Sequence, residues 1–380
     1  MAVIPQLIVA SLLLCNFRFA WGAARADLTQ ELLAILRSPQ DYNKDVMPTN
    51  SSGPVNTEIQ LYFRDIKVND LTQVLTVDMY FRMKWHDPRI PFTRTTSPSI
   101  MSDDWALLSD VYAAWIPDVF FPQGSNTRRE KTVKAQTFIR VYQSAPNMMY
   151  STRLTVDFAC PMNFQGYPHD TQTCGLNLES YAFTADEMNL NFDTTPGAIS
   201  FTPVGYRNFF INGFTTDRCD AKTSTGTYSC IKVNLEVKRA SSPYLCSIYI
   251  PIVSLVILAF LSEFIPRTEF VAKLLLVTVS FLAILHGSQN FATSAPVVAY
   301  TKAIDVFLGF SLAAVFLQLL KVLLCNYSVT CSVTQKSAIV DTEDGTPGQW
   351  MPRARAYLGY GILATYGLFL LCYCGYVSSF

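Results

Sequence analysis

The sequence predicts a β-sandwich outer domain followed by four membrane-spanning helices. Three observations predict it. Short runs of alternating apolar and polar residues, separated by turn clusters, fill the chain up to Arg239. Four hydrophobic segments follow, each near the roughly 20 residues that a spanning helix needs. The composition, 50% hydrophobic and 15% charged, is too apolar for an ordinary soluble protein. The formal net charge is zero, which gives no reason to expect nucleic acid as a partner.

The first residues carry an apolar core from Leu7 to Leu14, then small residues at Ala20, Gly22, Ala23 and Ala24. This reads as a secretory signal peptide over residues 1–24, although its opening lacks Lys and Arg. Residues 25–240 would then mature in an oxidising lumen, where disulfides persist. Asn50-Ser51-Ser52 is an acceptor for N-glycosylation, consistent with that side. "DLTQELLAILRS" has helical period, with Asp27 as N-cap and Glu31 in the first turns, so one helix precedes the strands. "TEIQLYF", "VLTVDMYFRMKW", "QTFIRVYQ", "MMYSTRLTVDFAC", "CGLNLESYAF" and "SCIKVNLEVKR" read as strands. "TNSSGP", "QGSNTR" and "TSTGT" read as turns between them, which makes a sandwich of roughly 200 residues. Cys160, Cys174, Cys219 and Cys230 lie in this half and are able to pair. Cys246, Cys325, Cys331, Cys372 and Cys374 lie in or beside the hydrophobic segments and read as small apolar filler.

The hydrophobic segments are Pro243–Phe264, Val271–Ala292, Tyr300–Leu324 and Tyr357–Tyr376. Lys273, His286, Lys302 and Asp305 interrupt the second and third, and such groups face a bundle interior or water. Residues 325–355 read as a polar loop with Lys336, Arg353 and Arg355, which places the loop in the cytosol by charge bias. Residues 356–380 then hold the last span and an extracellular C-terminus. In the second span Leu275, Val279, Leu282, His286, Gln289 and Thr293 share one face. A ring of copies with that face inward would hydrate His286 and Gln289, and leave apolar rings able to gate by dewetting. The alternative is four anchor helices with His286 and Gln289 near the interface. One helix per subunit cannot line an ion path, so a channel here must be a cyclic oligomer. An enzyme finds no support, because the three histidines, His86, His169 and His286, are scattered and no carboxylate or Ser/His/Asp constellation stands out.

"CPMNFQGYPHDTQTC" (Cys160 to Cys174), "WHDPRI", "WIPDVFF", "YLCSIYIPIVSLVIL" and "AYTKAID", in their order, resemble the Cys-loop pentameric ligand-gated ion channels. The likeness is to the glycine and GABA type and covers nearly the whole chain after the signal. It implies a homopentamer, with or without other subunits, around a central pore in the plasma membrane. Its partners would be a small-molecule agonist between subunits, permeating ions with chloride favoured, and the lipid bilayer. No cofactor, metal or enzymatic activity is implied. The resemblance implies disulfides Cys160–Cys174 and Cys219–Cys230. It makes Tyr167, Pro168 and Asp170 the membrane-facing tip of the first ring, with Tyr167–Pro168 a candidate cis bond. Arg239 would sit at the junction with the spans, where Asp170 and Asp70 are its alternative partners.

The ligand site implied by the resemblance takes Phe120, Glu179, Ser180, Tyr181, Phe183 and Tyr228 from one subunit. The neighbouring subunit gives Tyr80, Arg82, Ile139, Val141 and Ser151. Aromatic faces attract an ammonium and Arg82 clamps a carboxylate, so the set suits a small zwitterion. Thr223 stands where the family places a capping aromatic, leaving room for a larger or more apolar ligand. At the pore mouth Val271-Ala272-Lys273 keeps a basic residue and lacks the Glu of cation-selective members, which favours anions. Glu269 opposes this and keeps a cation-selective channel as an alternative. Leu282 matches the family's gate leucine. Leu275 and Val279 make the path unusually apolar, which keeps a receptor with a poorly conducting pore as a further alternative.

Overall fold

The computed structural model describes residues 29–30, 32–38, 42–48, 53–90, 105–142, 147–195, 197–202, 208–266, 268–338 and 350–378. The signal peptide and Asn50 lie outside the described residues. The chain forms two compact units. One comprises Met1–Pro161, Thr173–Tyr206 and Gly213–Leu235; the other comprises Met162–Gln172, Arg207–Asn212 and Glu236–Phe380. The middle of the Cys160–Cys174 segment is thus counted with the helices.

The first unit begins with helical backbone at residues 29–30 and 32–37, which buries Leu32 and Leu36. Fourteen strands follow among the described residues. Two long ones, β1 (Val55–Asn69) and β2 (Val74–Trp85), form the centre of the larger sheet. On β2 the side chains alternate strictly. Leu75, Val77, Met79, Phe81, Met83 and Trp85 are buried, while Thr76, Asp78, Tyr80, Arg82 and Lys84 occupy the other face. Each fully buried side chain of this kind contributes about 1.5–3 kcal/mol.

The same sheet holds β3 (Trp105–Leu108), β5 (Gly124–Arg129), β6 (Thr137–Tyr142), β7 (Met148–Ala159), β9 (Met188–Phe192) and β10 (Ile199–Phe201). The order β10-β1-β2-β7-β6-β3 has β9 also on β1 and β5 also on β7. The smaller sheet runs β11 (Phe209–Arg218), β14 (Cys230–Arg239), β8 (Thr171–Ser180), β4 (Val119–Phe120). A hairpin of β12 (Ala221–Thr223) and β13 (Gly226–Tyr228) completes the set.

"QGSNTR", read above as a turn, is strand β5. It pairs with β7 and shifts register between Ser125 and Arg128, because the β7 edge satisfies its backbone whatever its polarity. "WHDPRI" is a structural knot. Arg89 clamps the buried carboxylate of Asp87 at 2.9 and 2.7 Å, and Tyr42 donates to the same carboxylate at 3.1 Å. Burial pushes the Tyr42 phenol up to about 12, so it stays a donor.

The second unit has four helices long and apolar enough to cross a membrane, over Ser242–Phe264, Phe270–Ser294, Ala303–Cys325 and Tyr357–Val377. The first span widens over Leu245–Tyr249 to a π-type turn, two residues before Pro251, which has no N–H to donate. The third helix continues beyond its apolar part to Ala338, and the fourth begins at Trp350. Much of the tract 325–355 read as a loop is therefore helical. Residues 325–338 contain no Gly or Pro to stop a helix already under way, and the first such residues come at Gly345 and Pro347.

At the far end of this bundle the first and third spans share a polar cluster. Lys321 Nζ lies 2.6 Å from Glu263 Oε1, and Gln318 Nε2 donates to Ser262 Oγ at 3.2 Å and also to Glu263 Oε1. Gly359 of the fourth span lies against it. A Cβ there would sit 2.2 Å from Lys321 Nζ, so a side chain at this position would have to displace the lysine head from its place beside Glu263.

Candidate ligand site and ion path

Short β4 brings Phe120 beside Glu179 of β8, and Val119 beside Ser180. Phe120 meets Tyr181 edge to face at 5.5 Å, and Tyr181 is 75% exposed. Ser180 is buried. Its hydroxyl bonds Asp118 Oδ1 at 3.1 Å and the Phe183 carbonyl at 2.8 Å, so it clips the turn rather than facing a ligand. Asp118 also accepts from the Ala182 N–H at 2.6 Å. This positioning residue was missed, although an Asp directly after Pro is a turn signal that marks it.

Phe183 packs edge-on to buried Trp115 at 6.0 Å. The next turn meets the β12–β13 hairpin, where Ala185 N donates to Thr227 O at 2.8 Å. Tyr228 shares a hydrogen bond with Thr225 Oγ1 at 2.9 Å, and Thr223 is exposed. Phe120, Glu179, Tyr181, Phe183 and Tyr228 thus share one surface. Burial pushes the Glu179 carboxyl up from its ordinary value.

The face of the large sheet turned from the core carries the second group. Register places Gln60, Arg82, Ser151 and Phe138 side by side across β1, β2, β7 and β6. Ile139 and Val141 are fully buried and point the other way, which corrects their assignment above. A strand alternates with period two, so a site on this face takes Phe138 and Arg140 instead. The alternation in "TFIRVY" was the available signal: Ile and Val inward, Phe, Arg and Tyr outward. Arg140 lies over Trp105 at 4.4 Å and Phe138 at 5.1 Å. Tyr80 packs against Tyr62 at 5.9 Å with Arg64 5.4 Å above its ring. Arg82 Nε and Arg140 Nε are buried donors without hydrogen-bond partners among the described residues. Such donors stay costly until an acceptor arrives.

Both disulfides, Cys160–Cys174 and Cys219–Cys230, are present. Inside the first ring the Tyr167–Pro168 bond is cis. Arg239, the last residue of β14, clamps Asp170 through Nε at 2.7 Å and Nη2 at 3.3 Å. Its guanidinium lies 4.4 Å from the Tyr167 ring centre and 4.5 Å from that of Phe209. Asp170, one of the two partners foreseen, is thus paired with Arg239. Gln165 O accepts from the Ala303 N–H at 2.8 Å, and the Phe164 N–H donates to Tyr300 Oη at 2.8 Å. The ring tip is therefore bonded to the start of the third span.

On the second span Leu275, Val279 and Leu282 are more than half exposed. His286, Gln289 and Thr293 are exposed on the same stripe. Val277, Ser280 and Ile284 lie on the packed side. Lys273 is half-buried and Glu269, one turn earlier, is exposed. No group of three or more His, Cys, Asp or Glu able to hold a metal occurs among the described residues.

A family model described as the neurotransmitter-gated ion-channel ligand binding domain matches residues 29–241. The chain is 31% identical to a glutamate-gated chloride channel of Drosophila melanogaster over 291 residues, which cover 76% of this chain and 63% of that protein. It is 30% identical to the human gamma-aminobutyric acid receptor subunit rho-2 over 279 residues, covering 73% of this chain and 59% of that one. The chain thus spans about three-fifths of the length of the curated relatives that it matches.

Proposed function

The chain belongs to the neurotransmitter-gated ion-channel family, and from that premise we propose that it is a subunit of an extracellular ligand-gated channel, a homopentamer whose pore prefers anions. The observation that carries this reading is the exposed stripe on the second span. A lone span would leave His286 and Gln289 in hydrocarbon, whereas five copies facing inward put them in water. The rings of Leu275, Val279 and Leu282 then close the resting path, since water in a narrow apolar ring loses hydrogen bonds that nothing replaces. Five Lys273 side chains near the mouth supply positive potential. One relative supports an anion path through its name, a glutamate-gated chloride channel.

The ligand is a small molecule with a carboxylate for Arg82, seated between Tyr181 and Tyr228 of one subunit and the outer sheet face of the next. The partnerless Nε of Arg82 supports this choice. The signal passes to the spans through Tyr167, Pro168, Asp170 and Arg239.

The test is current recording from Leu282→Thr. A hydroxyl restores hydrogen-bond partners at the Leu282 ring, so resting current rises. Replacing external chloride with a large anion then shifts the reversal potential. A potential that tracks sodium instead overturns the anion assignment in favour of a cation path drawn by exposed Glu269.

A further inference from the structure

We infer that Tyr373 of the fourth span positions the tip of the Cys160–Cys174 ring through Tyr249 and His169, in a chain of hydrogen bonds whose direction one proton on His169 reverses. Its consequence for gating rests on the channel reading; the hydrogen-bond chain itself does not.

The groups belong to three segments of the helical unit. His169 Nε2 lies 3.1 Å from Tyr249 Oη, and Tyr249 Oη lies 2.8 Å from Tyr373 Oη. Phe307 of the third span packs against both tyrosines, at 4.8 and 5.5 Å. Each hydroxyl has one hydrogen to donate, so the polarity of such a chain is set from one end. With the imidazole neutral and its hydrogen on Nδ1, Tyr373 donates to Tyr249 and Tyr249 donates to Nε2. A proton on Nε2 makes His169 a donor. Tyr249 must then turn its hydrogen to Tyr373. Buried Tyr373 has no second hydrogen-bond partner among the described residues to take its own hydrogen. The chain then runs toward the fourth span and ends on a Tyr373 hydrogen left without an acceptor among the described residues.

The surroundings oppose the proton. Lys238 of β14 adds like charge near His169, and Asp170 next to it is already bonded by Arg239 and Gln172. Tyr249 and Tyr373 bring no charge from the spans, and Cys374 and Tyr376 are the other titratable groups near them. Burial holds the imidazole below its ordinary value of 6.5; Asp170 opposes that shift and Lys238 adds to it. A basic group held down in the folded state costs stability as pH falls below its unfolded value. The chain therefore runs from Tyr373 to His169 at neutral pH and, on acidification, reverses at the cost of the stranded Tyr373 hydrogen.

The experiment uses the full chain in two readouts. Thermal unfolding in detergent is followed at about pH 7.5 and about pH 5.5 for wild type, His169→Gln, Tyr373→Phe and the double variant. The expected result is an acid-induced fall in midpoint that both single variants shrink by about half or more, with non-additive effects in the double. Gln accepts from Tyr249 without titrating, so His169→Gln keeps the neutral-pH midpoint. In Leu282→Thr cells, the same acidification changes resting current by about threefold, and adding His169→Gln removes that change. Unchanged pH dependence in His169→Gln, or additive effects with Tyr373→Phe, overturns the relay. Should His169→Gln not fold, Tyr249→Phe takes its place in both comparisons. A silent Leu282→Thr channel with non-additive unfolding upholds the relay and overturns the channel reading.

Discussion

Arg239 and Asp170 bury an ion pair whose side chains are 1% and 3% exposed. Removing one partner of such a pair leaves an uncompensated charge, a loss of about 3–5 kcal/mol. Arg239→Gln should therefore lower the agonist response, normalised to surface density, to near zero, and adding Asp170→Asn should recover part of it by removing the stranded carboxylate. Whole-cell currents beside surface biotinylation check both; unchanged currents in the single variant remove Arg239 from the mechanism. A second residue-scale prediction concerns Lys84 and Asp193, 2.6 Å apart. Burial works against the Asp193 carboxylate, but bonds from Lys84 and Thr195 win and hold its pKa at about 2, below the ordinary 3.8. A depressed carboxyl pKa stabilises the fold above the unfolded value and loses that contribution as pH falls through the folded one. The shift corresponds to about 2 kcal/mol. Lys84→Met should be less stable than wild type at neutral pH, with the gap closing between about pH 4 and about pH 2 in denaturant titrations. The sequence marked Arg239 as a junction residue but left Asp170 and Asp70 open, because partner choice depends on which strands end up adjacent. Arg239 N donates to Asp170 O at 3.2 Å, and that backbone contact brings the Asp170 carboxylate within reach of the guanidinium.

Strand β6 separates two kinds of residue that lie next to each other in sequence. Ile139→Ala should cost about 2–5 kcal/mol, since it opens a cavity in the core, and should leave ligand potency unchanged in the protein that still folds. Phe138→Ala should do the reverse: stability near wild type, and a weaker response as the cation–π support of Arg140 is lost. Thermal unfolding and concentration–response curves on the same two variants tell them apart. The strands of strict alternation, β2 above all, were legible because one face meets a core and the other does not. Strand β5 was not, because "GSNTRR" has no apolar face and is held by backbone bonds to β7. The stripe on the second span was legible for the opposite reason: its apolar-to-polar gradient stays in phase with the helix over six positions. The helical stretch 325–338 was missed because polarity was taken for the end of a helix, whereas polarity ends only its contact with lipid.

The division of the chain near Arg239 into a β half and a helical half was visible in composition alone, as was the number of spans. The tip of the disulfide ring belonging with the helices was not, since it depends on bonds to Tyr300, Ala303 and Ile304 that no local pattern announces. For the assembly we expect one dominant species of five chains, counted by mass photometry or class averages in detergent. A monomer or two-fold dimer would remove the shared ion path.

The cluster of Glu263, Gln318 and Lys321 has a consequence for how the molecule is made. Glu263 closes the first span to be synthesised, and its lysine partner comes 58 residues later, in the third. An ionisable side chain in a span resists lipid until it is paired. We therefore expect a chain ending after the first span to hold that span in the bilayer less firmly than one that extends through Lys321. The fourth span, with its bare Cα at Gly359, packs against that pair. The pair thus ties residues that translation separates, and the last helix of the bundle lies over a bond between the first and the third.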